Sequence, residues 1–466
     1  MTSAQRNAGS YRDPAGHVYD DAGRVLRTIN ERARADYEAM RDRGILASAV
    51  QQGLLIDSRE IEKPSGHGEF ERAAYVVEHP RIPFISYPYE WPFGALKAAA
   101  LHHLDLQLDL LRQDAVLSDA TAYNVQFVGA EPVFIDLLSL RPYRKGEFWI
   151  GHRQFCEQFL NPLLLQSTLG IAHNAWYRGS LEGIPTADLA RALPLGSRFS
   201  WNMLSQVILQ AKLQARATNA PTQAIQDAKG ARALSKTAYE GMLRQLRNWI
   251  ARLKPARTGK TVWGDYAADN TYSSAEAQDK RGFVAAFAAR TRPGILVDIG
   301  CNTGDYSAAA LEGGAATVIG FDFDQRALDL AFSRARSEKL SFLPLWLDAS
   351  NPSPDQGWMQ AERAGFARRV KVDALIALAF EHHLAIAKNV PLPQVVDWLV
   401  DRAPVGIIEF VPKDDPTVKT MLALRDDIFD DYSIETFTGQ LDRRARIVET
   451  KVVSESGRTL FVYDRS

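Results

Sequence analysis

Apolar and polar positions change rhythm along the chain. Over residues 25–53 apolar side chains recur near helical spacing among many charges, which predicts one or two amphipathic helices. Strand-like runs follow at 73–77 and 82–86. The stretch Tyr87-Pro88-Tyr89-Glu90-Trp91-Pro92 cannot be helix interior, and strong helical character resumes over 93–111. Segments 125–128 and 132–137, separated by Gly129, predict a hairpin. Helical patterns then dominate from 148 to 251, with breaks at Pro162, Gly183-Ile184-Pro185 and Pro194-Leu195-Gly196. Residues 214–236, rich in Ala, Gln and Thr, lack an apolar stripe and predict a mobile loop or exposed helix.

After Arg281 the pattern alternates. Strands are predicted at 295–299, 317–321, 342–347, 374–379 and 406–410, with helices at 306–313, 325–338, 391–402 and 417–426. Such alternation implies an α/β, doubly wound, mostly parallel sheet with helices on both faces. The last two runs, 447–454 and 459–464, turn at Glu455-Ser456-Gly457 and predict an antiparallel edge. With 466 residues the chain is too long for one ordinary core. The expected organisation is a helix-rich α+β domain over 1–253, a linker and covering segment over 254–280, and the α/β domain over 281–466.

Charge narrows the partners. The 55 Lys and Arg nearly cancel the 56 Asp and Glu, leaving no global field for a nucleic-acid backbone or an anionic membrane. No apolar run is long enough to span a bilayer, and residues 1–23 lack the apolar stretch of a secretory signal, so a cytoplasmic location is expected. Cys156 and Cys301 stand far apart without metal-ligand spacing, which supports neither a disulfide framework nor a zinc cluster.

In a doubly wound sheet the ligand lies beyond the carboxyl ends of the strands. The loop after the first strand reads Asp298-Ile299-Gly300-Cys301-Asn302-Thr303-Gly304-Asp305. Gly300 and Gly304 allow backbone to approach a ligand closely, and Asn302 tolerates left-handed geometry where another Gly often stands. The spacing is not the G-x-G-x-x-G of a pyrophosphate binder, and the charges of Asp298 and Asp305 would oppose an anion. They suit S-adenosylmethionine (SAM), which carries an ammonium and a sulfonium. Asp322, ending the second strand, is placed to accept both ribose hydroxyls, and Asp348, closing the third, to accept the adenine amino group.

This ordered set resembles the class I SAM-dependent methyltransferases over most of residues 261–466. Within them the chain is similar to the bacterial group related to the NoeA-type nodulation protein. The shared stretches are the segment from Trp263 to Lys280, the loop VDIGCNTGDYS, ALAFEHHLAI, IIEFVPKDDPTV and the tail SGRTLFVY. The resemblance implies methyl transfer with SAM as cofactor. In similar enzymes a segment like the one bearing Trp263, Tyr266 and Tyr272 covers the cofactor, which makes Tyr272 a candidate contact.

For a hydroxyl acceptor, methyl displacement needs alignment and removal of a proton. The fourth strand leads into Glu381-His382-His383, so His382 or His383 is expected as base, with Glu381 as orienting partner or as ligand for a cationic substrate. The spacing of consecutive histidines does not put both imidazoles on one face, and with no third ligand no metal site is expected. Glu409 is expected to touch acceptor or cofactor, or to pair with Lys413. The acceptor is read as a small molecule or glycan, methylated at oxygen.

The N-terminal segment Leu117-Ser118-Asp119-Ala120-Thr121-Ala122-Tyr123-Asn124, followed by Pro132-Val133-Phe134-Ile135-Asp136, resembles the catalytic loop and metal-binding strand of kinase-like phosphotransferases. That resemblance would make Asp119 a base and Asn124 and Asp136 metal ligands. Leu117 and Ser118 replace the usual His and Arg, and no Gly-rich loop is visible, so a degenerate kinase-like scaffold is expected. Gly259-Lys260-Thr261 lacks the P-loop spacing and reads as linker. A bifunctional kinase and methyltransferase, and a non-catalytic SAM-binding module, are the competing readings.

Overall fold

Short strands open the chain. In the computed structural model, which describes residues 4–65, 68–194, 201–203, 207, 234–256, 274–423 and 425–466, they form an antiparallel sheet of five. The strands are β1 (Gln5–Arg6), β2 (Val18–Asp21), β3 (Arg24–Ile29), β4 (Arg59–Ile61) and β5 (Tyr75–His79), in the order β1-β2-β3-β5-β4. Ala22 and Gly23, with φ of 50° and 89°, turn β2 into β3 through the left-handed pair whose twist matches a hairpin. Residues 25–29 are therefore strand, not the start of a helix. Six residues are too few for periodicity to separate the two, and Leu26 and Ile29 are both fully buried in the sheet. The expected helices begin later, at Arg34–Asp42 and Ile45–Gln51. Residues 82–86 form no strand, consistent with a proline at 83 that lacks an amide donor.

Phe93–Arg112 is a helix of 20 residues, about 30 Å long at 1.5 Å per residue. Its apolar side chains run all round, so it is enclosed rather than laid on a surface: Lys236–Arg252 and Gln325–Ser337 both pack against it. Beyond it β6 (Ala115–Leu117) pairs with β9 (Leu140–Pro142) around a hairpin of β7 (Val125–Val128) and β8 (Glu131–Phe134). This closure sets residues 118–124 beside residues 135–139.

The second sheet has seven strands: β10 (Ile295–Ile299), β11 (Thr317–Asp322), β12 (Phe342–Trp346), β13 (Ala374–Ala377), β14 (Val405–Phe410), β15 (Arg446–Val452) and β16 (Thr459–Asp464). Their order is β12-β11-β10-β13-β14-β16-β15, parallel through β14, with β16 antiparallel to both of its neighbours. This is the expected doubly wound α/β arrangement, a mostly parallel sheet with an antiparallel edge. Strands β12 and β13 are buried along their whole length, as a sheet covered on both faces requires. The outermost strand, β15, instead alternates exposed with half-buried positions and carries an irregularity between Ile447 and Glu449. Strand order reverses between β10 and β13, which opens a crevice at their carboxyl ends.

The two halves share a core. Phe84 meets Phe321 edge-on at 6.0 Å between centroids, Phe127 meets Phe332 likewise at 6.0 Å, and one buried apolar cluster runs across the seam. Polar contacts pin the same seam: Gln325 Nε2 donates to Asn174 Oδ1 at 2.8 Å, and the buried Arg369 guanidinium pairs with Glu90. Among the described residues no helix is long and apolar enough to cross a membrane.

Candidate active site

The crevice at the switch point is a cavity of about 410 Å³ lined from the ends of β10, β11, β12 and β13. Its floor is the loop after β10. Gly300, Asn302 and Gly304 take φ of 84°, 47° and 83°, so the left-handed geometry expected of Asn302 is present. A Cβ on Gly300 would press on the Phe380 ring at 3.2 Å, and one on Gly304 would clash with Phe342 at 2.5 Å, so Gly304 also lacks room for a side chain. Gly304 stands behind the wall. Asp298 does too: it is buried, accepts the Ser307 hydroxyl at 2.6 Å, and burial pushes its carboxyl up to about 7.

Asp322 and Asp348 do line the cavity. Asp322 Oδ2 accepts the Asn302 N–H and Oδ1 the Asp324 N–H, each at 2.8 Å, so the side chain ties the β10 loop to the β11 end. Burial still raises its carboxyl above the usual range. Each oxygen keeps a lone pair beyond its backbone bond. Asp348 Oδ1 holds the Ser350 N–H at 3.1 Å and its hydroxyl at 2.6 Å, leaving Oδ2 for another partner. Tyr272, Trp263 and Tyr266 lie outside the described residues, as do residues 214–233 and the linker triplet at 259–261.

At the other end of the cavity stand His382 and His383, on the one-turn helix Glu381–Ala385. Their rings are 4.2 Å apart between centroids and both line the wall, which corrects the expectation that consecutive imidazoles diverge. The wall wraps the helix, so side chains about 100° apart reach the same space. Burial holds His382 down to about 3 and His383 well below its ordinary value. Glu381 is behind the wall. Its Oε1 accepts the Val411 N–H at 2.8 Å and the Tyr432 hydroxyl at 2.9 Å; its Oε2 lies 3.6 Å from His382 Nδ1, and burial raises the carboxyl to about 7. Among the described residues no group of three or more His, Cys, Asp or Glu could hold a metal ion.

Glu409 does not pair with Lys413, which goes to Asp427 at 2.9 Å. It pairs instead with Lys280, buried to 1% exposure, at 2.6 Å, and its Oε2 also accepts the Ala379 N–H at 2.7 Å. Ala379 has φ of 47°, so this carboxylate fixes a left-handed turn in the cavity wall. Lys280 also sits 4.9 Å from the centre of the Tyr306 ring. On the same side Arg458 grips Asp415 with two bonds of 2.7 and 2.8 Å and donates to Thr417 Oγ1 at 3.0 Å. Sequence reasoning singled out neither Lys280 nor Arg458; their only signal was membership of the shared stretches.

In the N-terminal half Asp119, Asn124 and Asp136 do come together. Asn124 Nδ2 donates to Asp119 at 3.1 Å and to Asp136 at 3.2 Å, and the Ser139 hydroxyl, with its single proton, lies within hydrogen-bond distance of both acids. Arg27, from β3, reaches Asp136 Oδ1 at 2.5 Å and Asp13 at 3.1 Å. Burial, then the Asp136 charge, pushes Asp119 up to about 7. Neutral donors thus reach Asp119 Oδ1 and Asp136 Oδ2, and the Arg27 guanidinium lies against Asp136 Oδ1.

No family model matches the chain. Nodulation protein NoeA of Rhizobium meliloti (strain 1021) is 51% identical over 462 residues, which is 99% of this chain and 96% of that relative. Among solved structures, an O-methyltransferase family protein from Burkholderia thailandensis is 14% identical, with a TM-score of 0.30 over 41% of this chain and 56% of that one. Magnesium protoporphyrin IX methyltransferase (ChlM) from Synechocystis PCC 6803, with bound SAH, is 18% identical, with a TM-score of 0.30 over 48% and 94%. The bifunctional kinase-methyltransferase WbdD is 16% identical, with a TM-score of 0.29 over 47% and 46%. Scores of that size carry nothing about activity.

Proposed function

The chain belongs to the family of the nodulation protein NoeA, and from the geometry of its α/β half we propose that it is a SAM-dependent methyltransferase acting on an oxygen of a small molecule or glycan. The observation that carries the reading is the pair of carboxylates, Asp322 and Asp348, at neighbouring strand ends around a glycine-floored cavity. The donor set suits the cofactor. Each Asp322 oxygen keeps a lone pair beyond its backbone bond for one of two vicinal hydroxyls, and Asp348 keeps Oδ2 for an amino group.

When bound, SAM supplies an electrophilic methyl carbon on a sulfonium. The chain's own residues then have three tasks. Asp322 and Asp348 hold the nucleoside, the Gly300 loop excludes water beneath it, and His382 and His383 face the acceptor, with the Glu381 carboxyl 3.6 Å behind His382 as the group that would orient it once the ring turns to meet it. Residues 1–253, 254–280 and 281–466 are proposed as scaffold, covering segment and catalytic domain.

Calorimetry on the full chain, stripped of cofactor, tests the reading: SAM and S-adenosylhomocysteine should both bind, and Asp322→Ala should weaken both at least about a hundredfold. Absence of binding to the wild-type protein would end it. A label from SAM appearing in a metabolite, and lost with His382→Ala and His383→Ala while SAM still binds, separates the enzyme from a non-catalytic binding module.

A further inference from the structure

Charges around the cavity are sorted by sign. Asp322, Asp324 and Asp348 line it from the ends of β11 and β12, whereas Lys280, paired with Glu409 of β14, Arg458, paired with Asp415 beyond β14, and Lys388 line it on the side of His382 and His383; Arg281 also lines it, against the helix that follows β10. A fourth acid, Asp305, also reaches the wall but is paired with Arg334 at 2.6 Å. The partners of three of the cations stand outside the cavity: Glu409 beside Lys280, Asp415 beside Arg458 and Glu312 beside Arg281. Each pair therefore presents its positive member to the ligand, and low-dielectric walls concentrate that field. Lys388 is exposed at the rim. Three of the four cations are paired with acids, so the formal surplus among them is the one charge of Lys388; the amino-acid end of SAM, with one ammonium and one carboxylate, leaves that surplus for a second ligand.

The imidazoles beside these cations are weak bases. Burial lowers both, and the Arg458 charge lowers both further. A base held that low takes little share in deprotonating an alcohol near neutral pH, so an acceptor that arrives already ionised suits the site better than a hydroxyl.

Resting on the methyltransferase reading, we propose that the acceptor is an oxyanion, a carboxylate or phosphate monoester, and that its ionised oxygen takes the methyl group to give a methyl ester. A lone pair of that oxygen forms the O–C bond while the C–S bond breaks, its electron pair going to sulfur. One negative charge on the acceptor and the positive charge on the sulfonium vanish together, and no proton moves. Arg458, Lys280 and Lys388 hold the acid, and the neutral imidazoles donate to its non-reacting oxygens.

The test uses the full-length protein saturated with S-adenosylhomocysteine and ligand-observed NMR with two probe pairs, benzoate against benzamide and phenyl phosphate against phenol. The expected result is that an anionic probe binds at least about tenfold more tightly than its neutral partner, and that Lys388→Gln weakens it about fivefold with S-adenosylhomocysteine affinity unchanged. Benzoate alone binding selects a carboxylic acid, and phenyl phosphate alone a phosphate monoester. Neutral probes binding as well as anions, neither anion binding, or Lys388→Gln changing nothing would overturn the oxyanion while leaving the methyltransferase standing. Failure of S-adenosylhomocysteine itself to bind removes both.

Discussion

Asp329 Oδ1 accepts the Gly94 N–H at 2.8 Å, so a side chain from the α/β half caps the central helix of the N-terminal half. Pro92, at that helix's own N-cap, makes no side-chain cap bond. Gly94 leaves room for the contact, since a Cβ there would sit 3.0 Å from the Phe332 ring and 3.3 Å from Asp329 itself. Asp329→Ala should cost about 1 kcal/mol, the usual worth of a cap, whereas Asp329→Asn keeps an acceptor. Burial raises the Asp329 carboxyl from 3.8 to about 6. A raised folded-state pKa gives stability that is full below 3.8 and is lost as pH rises through 6. Asp329→Asn should therefore gain on the wild type above pH 6, and the difference should close below 3.8; urea midpoints at both ends of that window report it.

A second seam contact is electrostatic. Arg369 and Glu90 pair across the halves with side chains only 7% and 4% exposed, and the guanidinium also lies 4.5 Å from the Tyr87 ring centre. Removing one member of a buried pair strands the other charge. Arg369→Met should cost about 3–5 kcal/mol, and Arg369→Met with Glu90→Gln distinctly less than the sum of the single changes. Chemical denaturation of all four proteins of the cycle measures the coupling; additivity would mean the pair is dispensable.

What the sequence disclosed and what it hid follow from range. That Gly300, Asn302, Asp322 and Asp348 line one crevice was readable because each is local to a strand end, where backbone demands fall within a few residues of one another. The pairing of Glu409 with Lys280 spans 129 positions, and nothing near Glu409 announces it; Lys413, its apparent neighbour in charge, is taken by Asp427. Residues 25–29 misled for the opposite reason, since a short run of mixed polarity satisfies strand and helix alike until a partner strand selects one. The helix Ile434–Arg444 went unread, although Phe437 and Leu441 form its buried stripe.

The N-terminal constellation predicts a negative result with a structural cause. Since Arg27 is ion-paired with Asp136, and Asn124 and Ser139 lie at hydrogen-bond distance from both acids, magnesium would have to displace a paired guanidinium to use both oxygens of Asp136. Calorimetry should detect no magnesium-dependent ATP binding to the full chain. Asp136→Ala should lower stability by about 2 kcal/mol by removing one of the two carboxylates paired with the buried Arg27. Magnesium-dependent ATP binding that disappears in Asp136→Ala would restore the bifunctional reading.

His103 predicts an acid limb in stability. It is fully buried, neither ring nitrogen has a hydrogen-bond partner among the described residues, and Phe134, Phe155 and Phe159 surround it at 5.5 to 5.9 Å. Burial lowers its pKa from 6.5 to about 3. The stability from keeping it neutral is full above 6.5 and is lost as pH falls toward 3, which amounts to about 2 kcal/mol by pH 5. His103→Phe should lose about that much less between pH 7.5 and pH 5, read from urea midpoints; parallel acid limbs would show that the ring is not desolvated.

Asp322 and Asp348 should respond differently to the same conservative change. Both oxygens of Asp322 are committed to backbone donors, the N–H groups of Asn302 and Asp324. An amide at that position must turn its NH2 toward one of them, so Asp322→Asn loses a backbone bond as well as an acceptor for a ribose hydroxyl. Its affinity for S-adenosylhomocysteine should fall at least about a hundredfold (~2.7 kcal/mol), close to Asp322→Ala. Asp348 commits one oxygen, Oδ1, to Ser350. In Asp348→Asn the amide oxygen can still accept a single bond, either from the adenine amino group or from Ser350, and the loss should stay within about tenfold. Calorimetric Kd values for the three variants decide it. Equal losses at 322 and 348 would mean that both carboxylates act through charge alone, and that the division of labour between ribose and adenine is wrong.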